Sequence, residues 1–141
     1  LKVLYHGPCQ LRGHRMGQPA AELVRLIPGV ELQLSHAACC GIGGTFGYDR
    51  DKYAVAMKIA KPLAARVAQC EPDVILCDSE TCRWHIEQLT GIACRHPIEL
   101  IWSCIGGGPL LSIPTPFMSQ ITSRPNSLRS TSSSCGRTPS S

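Results

Sequence analysis

The segment Cys39-Cys40-Gly41-Ile42-Gly43-Gly44-Thr45-Phe46-Gly47 constrains this 141-residue chain more than any other. Successive side chains on a strand alternate between faces, so two adjacent cysteines serve one site only where the backbone turns. The glycines that follow supply that turn, because they accept positive φ and let backbone N–H groups converge into a concavity that favours anions. Such a loop suits a thiolate-bound metal cluster, whose sulfurs accept hydrogen bonds. The competing readings are a disulfide loop and a pair of buried thiols.

The rest of the cysteine set weighs on that choice. There are nine, at positions 9, 39, 40, 70, 77, 82, 94, 104 and 135. An odd number, with no basic and apolar leader ahead of a cleavage site, argues for a reducing compartment in which clustered cysteines bind metals or do redox work. The net charge of +4 implies little about partners. Residues 1–105 carry eleven Lys and Arg against ten Asp and Glu, and the other three arginines fall in a segment without acids. A near-neutral domain with no basic stripe is not expected to bind nucleic acid. Apolar runs are too short to span a membrane.

Local pattern predicts the elements. Lys2 to Tyr5 reads as a strand closed by His6-Gly7-Pro8, with Cys9 just past its end. A helix starts at Pro19, with Ala20, Leu23, Val24 and Ile27 as its buried stripe. Val30, Leu32 and Leu34 alternate with polar residues in a half-exposed strand that runs into Cys39. Asp51 is the expected N-cap of a helix with Tyr53, Met57, Ala60, Ala64 and Val67 inward, which Pro62 should kink or split. Asp73 to Cys77 is a mostly apolar, central strand. Asp78 or Ser79 caps a helix carrying Cys82, Ile86 and Leu89 on one face, ended by Gly91, and a last helix covers Pro97 to Cys104. This order predicts an α/β fold, a small three-layer domain with a mainly parallel sheet over residues 1–105. Cys9, Cys39, Cys40 and the residues from 77 to 82 all follow strand ends and should meet on one sheet edge. Residues 106–141, rich in Ser, Thr, Pro and Gly, read as a disordered low-complexity tail, and Cys135 takes no role there.

His6-Gly7-Pro8-Cys9, Cys39-Cys40-Gly41 and Asp78-Ser79-Glu80-Thr81-Cys82-Arg83-Trp84 together resemble the cysteine-rich CCG domain family. That family includes heterodisulfide reductases, glycolate oxidase iron-sulfur proteins and the C subunits of anaerobic glycerol-3-phosphate dehydrogenases. Tyr5-His6-Gly7-Pro8-Cys9, Leu26-Ile27-Pro28-Gly29-Val30, Thr45-Phe46-Gly47 and His96-Pro97-Ile98 give the strongest likeness to the last group. The likeness covers roughly residues 1–103. In such proteins a ferredoxin-like segment and another CCG domain come first, so this chain, which starts on Leu1 already inside a strand-like run, is expected to be a C-terminal piece of something longer.

The resemblance implies a [4Fe-4S] cluster held by Cys9, Cys39, Cys40 and Cys82. Ser79 stands where the family places another cysteine, and a hydroxyl is a harder donor than the thiolates such clusters select. Cys77 is two residues away, about 6.6 Å along the strand, and replaces Ser79 only if the loop shifts. The implied role is electron transfer from a flavin-containing dehydrogenase that oxidises glycerol 3-phosphate towards membrane quinone. The implied location is cytoplasmic, peripheral on the inner face of the membrane. No residue reads as a general acid or base for alcohol oxidation, so the domain alone is not expected to turn over substrate. The alternatives are a cluster-free docking module, with Ser79 as the trace of a lost ligand, and a thiol-disulfide protein using Cys39-Cys40 or Cys82.

Three other chemistries are weaker on the residues. Cys77 to Arg83 matches the C-x5-R phosphate loop, but Asp78 and Glu80 would set two carboxylates against the anion, and the loop has no glycine. Gly41 to Gly47 lacks dinucleotide-loop spacing. Four thiols suit zinc, yet the compact Cys-x-x-Cys pairs of zinc knuckles are missing. His6 and His36 flank Cys9 and Cys39, where imidazoles tune a cluster or move a proton with its reduction. Cys70 and Cys94 read as structural thiols.

Overall fold

A computed structural model describes residues 1–108; from residue 109 onward the expected tail, and Cys135 with it, lies outside the described residues. The strands are β1 (Lys2–Tyr5), β2 (Glu31–Leu34), β3 (Val74–Leu76) and β4 (Cys94–Arg95). The helices are α1 (Cys9–Gly13), α2 (Pro19–Arg25), α3 (Tyr53–Cys70), α4 (Glu80–Thr90) and α5 (Pro97–Cys104), with one 3-10 turn at Phe46–Tyr48. All strand pairs are parallel, in the order β2-β1-β3-β4.

Period-two alternation divides the core between the two sheet faces. Val3, Tyr5, Val74 and Leu76 pack with Ala21 and Val24 of α2 and Leu100 of α5. On the other face Leu4 and Ile75 pack with Leu63 and Val67 of α3 and with Cys82 and Ile86 of α4. The result is the three-layer α/β fold that the pattern predicts. Because α2 covers one face and α3 the other, the chain reverses its winding at β1. In doubly wound sheets that reversal opens a crevice at the strands' C-terminal ends.

Several local expectations shift. The buried side of α2 is Ala21 and Val24, while Leu23 is exposed, because a helix of seven residues meets the sheet over little more than one turn. Lys52, not Asp51, is the N-cap of α3, and the preceding turn is organised by Asp49, whose carboxylate accepts the Asp51 N–H at 3.1 Å and pairs with Lys52 at 3.0 Å. The inward stripe of α3 is Ala56, Ala60, Leu63 and Val67, so Tyr53, Met57 and Ala64 turn further outward than their spacing suggests.

Pro62 does not split α3, which runs unbroken for 18 residues. The proline lies on the exposed side, as does Lys58, whose carbonyl loses its intrahelical donor but is accessible to water. The two-residue strand β4 has no alternation long enough to read and exists through its pairing with β3. His96 caps α5 in a reciprocal box: its Nδ1 accepts the Ile98 N–H at 3.1 Å, and Glu99 accepts the His96 N–H at 2.9 Å. Replacing Pro62 with Ala should restore the lost bond and stabilise the domain by about 1–3 kcal/mol, net of the more flexible unfolded chain. Urea denaturation of the two proteins measures this as a higher midpoint for Pro62→Ala.

Candidate metal centre

The crevice at the sheet's C-terminal edge is where the cysteines converge. Cys9 arrives on the first turn of α1, directly after the loop that leaves β1. Cys39 and Cys40 follow β2, and Ser79 and Cys82 follow β3. All five line one cleft of about 40 Å³, together with His6, Ile42, Gly43, Gly44 and Thr81. Residues dozens of positions apart are thereby brought to a single site, as strand-end placement predicts. Cys77 does not line the cleft: it is fully buried in the core beneath Cys82.

Local backbone geometry divides the adjacent pair. Cys40 turns inward and is 1% exposed, while Cys39 stays half-buried and accepts the Gly41 N–H on its sulfur at 3.2 Å. The Ile42 N–H serves the Cys40 sulfur in the same way. Gly41 has φ +96°, and a Cβ on it would lie 2.2 Å from the Ala56 carbonyl oxygen of α3. Only glycine permits both that dihedral and that approach. Gly47 is equally confined, since its Cβ would sit 2.8 Å from Ile42 Cδ1 and 2.9 Å from Ala56 Cβ.

Three sulfurs, of Cys40, Cys77 and Cys82, lie within hydrogen-bonding reach of one another below the rim. Hydrogen bonds from the Cys40 and then the Cys77 thiol hold Cys82 far below the usual thiol range, aided by the Ser79 hydroxyl and the nearby His6 ring. Bonding to Cys82 and burial push Cys40 and Cys77 the other way, above the usual thiol range. Cys94, deeper in the same core, is pushed up to about 12, chiefly by burial. Among the described residues every cysteine is unpaired.

Histidines surround the thiols unevenly. His6 is fully buried, with its Nδ1 2.9 Å from Ser35 Oγ and its Nε2 unpartnered among the described residues. Burial lowers its pKa, and the Cys82 charge offsets part of that. His36 is exposed, holds a left-handed φ of +54° and does not line the cleft. His85, which no motif marks, is 2% exposed on α4 with an unpartnered Nε2. Its position three residues after Cys82 is the one sequence signal that points to it. Tyr5, also buried, donates its hydroxyl to the Asp78 carboxylate and so ties the ends of β1 and β3 together beside the cleft.

The C-x5-R reading fails on this geometry. The Cys77 thiol is fully buried, its pKa raised by bonding to Cys82 and by burial, and Arg83 Nη1 donates to the Cys77 carbonyl at 3.4 Å rather than facing an anion site. For a metal group the donors are of the right kind: four soft sulfurs on the cleft, N–H groups already aimed at two of them, and an orphaned imidazole nitrogen beside them. Among the described residues no three His, Cys, Asp or Glu side chains are gathered as ligands of one ion. A polynuclear cluster, in which each thiolate holds a different iron, does not require that gathering.

The doubly wound sheet and the thiols brought from three strand ends to its switch point define a cysteine-rich α/β domain. The chain belongs to the CCG cysteine-rich domain family, whose model matches residues 3–87. The C subunit of the anaerobic glycerol-3-phosphate dehydrogenase of Escherichia coli K12 is 40% identical over 101 residues, which make up 72% of this chain and 26% of that protein. The protein of Escherichia coli O157:H7 gives the same figures. An uncharacterized iron-sulfur protein of Methanocaldococcus jannaschii is 31% identical over 87 residues, 61% of this chain and 17% of that one. The chain thus spans about a quarter or less of the curated relatives named here. No solved structure matches it significantly.

Two measurements probe this architecture. Gly41→Ala combines a strained dihedral with a backbone clash and should cost about 3 kcal/mol or more, read as a lower denaturation midpoint. Burial, and then the bond to Asp78, raise the Tyr5 pKa well above its ordinary 10.0. A raised folded pKa gives stability that is full below the unfolded value and lost above it, so the domain should weaken as pH rises past about 10. Tyr5→Phe should flatten that slope in urea titrations run at successive pH values.

Proposed function

We propose that this domain is an iron-sulfur electron carrier holding one [4Fe-4S] cluster on Cys9, Cys39, Cys40 and Cys82. The observation that carries the reading is the convergence of these cysteines on one cleft from three separate strand ends. Membership of the CCG family and the likeness to an iron-sulfur protein and to a dehydrogenase subunit support it. The cluster supplies reversible one-electron chemistry. The chain's own residues do the rest. Gly41 and Ile42 direct N–H groups at the sulfurs of Cys39 and Cys40, which disperses negative charge. Cys77 and Ser79 donate to Cys82 from below and beside it, and the apolar core beneath limits water. Ser79 acts in this reading as a donor to a ligand, and Cys77 as a thiol behind the ligand shell.

The finer role follows from the family resemblance of the sequence. Electrons come from a flavin-containing dehydrogenase that oxidises glycerol 3-phosphate and pass towards membrane quinone, with the domain docked on the cytoplasmic side of the membrane. Among the described residues no helix is long and apolar enough to cross a membrane, so the docking would use other surfaces or other proteins of the assembly. A cluster-free scaffold is the second reading, favoured by one feature alone, the hydroxyl of Ser79 on the cleft.

Anaerobic reconstitution with iron and sulfide decides between them. The expected result is about four irons per chain, with an EPR signal after reduction that is lost in Cys40→Ala and kept in Cys77→Ala. Iron uptake by Ser79→Cys but not by the unaltered chain would overturn the carrier reading and leave the scaffold.

A further inference from the structure

We infer that His6 donates a hydrogen bond from Nε2–H to the cluster's sulfur, and that Ser35 holds the ring in the tautomer that makes this donation. The inference rests on the cluster reading above and goes beyond it by naming a residue outside the cysteine set that tunes the potential.

The backbone of His6 is fastened on one side by its N–H, which donates to the Leu76 carbonyl of β3 at 2.8 Å. Ser35 is fastened to the sheet's central strand from the other side, its N–H donating to the Tyr5 carbonyl at 2.9 Å. Both residues therefore sit rigidly at the C-terminal edge, and their side chains meet at 2.9 Å. Ser35 Oγ also accepts the Ala37 N–H at 3.4 Å, which leaves its hydroxyl proton free to go to His6 Nδ1.

With Nδ1 accepting, the proton of the neutral ring sits on Nε2. That nitrogen is buried, has no partner among the described residues, and belongs to a side chain lining the cleft with Cys9, Cys39, Cys40 and Cys82. A buried N–H without an acceptor is costly; the cleft offers the neutral oxygens of Gln10, Ser79 and Thr81 and the sulfurs of four cysteines, and of these the thiolate sulfurs are the anionic acceptors. The opposite tautomer would set a lone pair against anionic sulfur, which is repulsive. An anionic occupant thus selects Nε2–H, and the donor in turn favours the more negative, reduced state of that occupant. Neither His36, exposed beyond the cleft, nor His96, engaged as a helix cap, is placed to do this.

The test uses the whole chain labelled with 15N-histidine, reconstituted with iron and sulfide and reduced for pulsed EPR. A weak 15N hyperfine coupling, of the size a hydrogen-bonded nitrogen gives, is expected in the unaltered protein and should vanish in His6→Leu. The midpoint potential should move to more negative values in His6→Leu, return part of the way in His6→Gln, which restores an N–H, and shift in the same sense but less in Ser35→Ala. A reduced cluster with no 15N coupling, or with the strong coupling of a nitrogen bonded directly to iron, would overturn the donor role while leaving the cluster reading intact. An unchanged potential in a His6→Leu protein of full iron content would do the same. Failure of the unaltered chain to take up iron would overturn both.

Discussion

The close seating of Gly41 on the Ala56 carbonyl is the contact on which the site depends. It anchors the glycine loop to α3, and α3 is the element that carries the chain from edge strand β2 across to β3 on the opposite face from α2. Without that approach Cys40 would not reach the core side of the loop, nor would Gly41 and Ile42 direct their N–H groups at sulfur. Small residues on both sides make it possible: Ala56 and Ala60 on the helix and Gly47 across the turn. The steric demand of the loop thus explains why the buried stripe of α3 begins with two alanines rather than larger side chains.

The electrostatics of the site follow from the same packing. Taking a thiolate out of water is unfavourable unless donors replace the lost hydration, and the fold concentrates donors around Cys82. Cys40, Cys77, Ser79 and His6 all lower the energy of its charged form, while each of the first two becomes harder to ionise as a consequence. A site that already favours one thiolate suits a group that needs several, because metal binding displaces thiol protons as it proceeds. Ser79 fits this picture as a hydroxyl donor. The departure from the family's cysteine pattern therefore changes what the position does without emptying it.

Much of this is legible in the chain itself. Period-two runs locate β1, β2 and β3, the proline and glycine punctuation locates α2, α4 and α5, and the thiol positions after strand ends point to a shared edge. What the pattern misses has a common cause. The inward faces of α2 and α3 differ from expectation because Leu23, Tyr53, Met57 and Ala64 all satisfy the helical spacing, while the sheet and its neighbours meet only part of each helix. Cys9 opening a short helix, and β4 existing at all, depend on contacts that so few residues do not announce. Pro62 breaks nothing, since an exposed proline leaves its orphaned carbonyl to water.

The sequence by itself determined the local chemistry: a glycine turn after paired cysteines, thiols at the ends of strands, and the alternation that requires two covered faces. Only the tertiary structure decided which of these residues meet. The sheet order places β1 between β2 and β3, and that pairing is a cooperative choice among distant strands that no local pattern encodes. From it come the Tyr5–Asp78 bond across 73 positions and the His6–Ser35 contact across 29. From it too comes the burial of Cys77 behind the cleft, because side chains two residues apart share a strand's face only until the strand ends and the backbone turns.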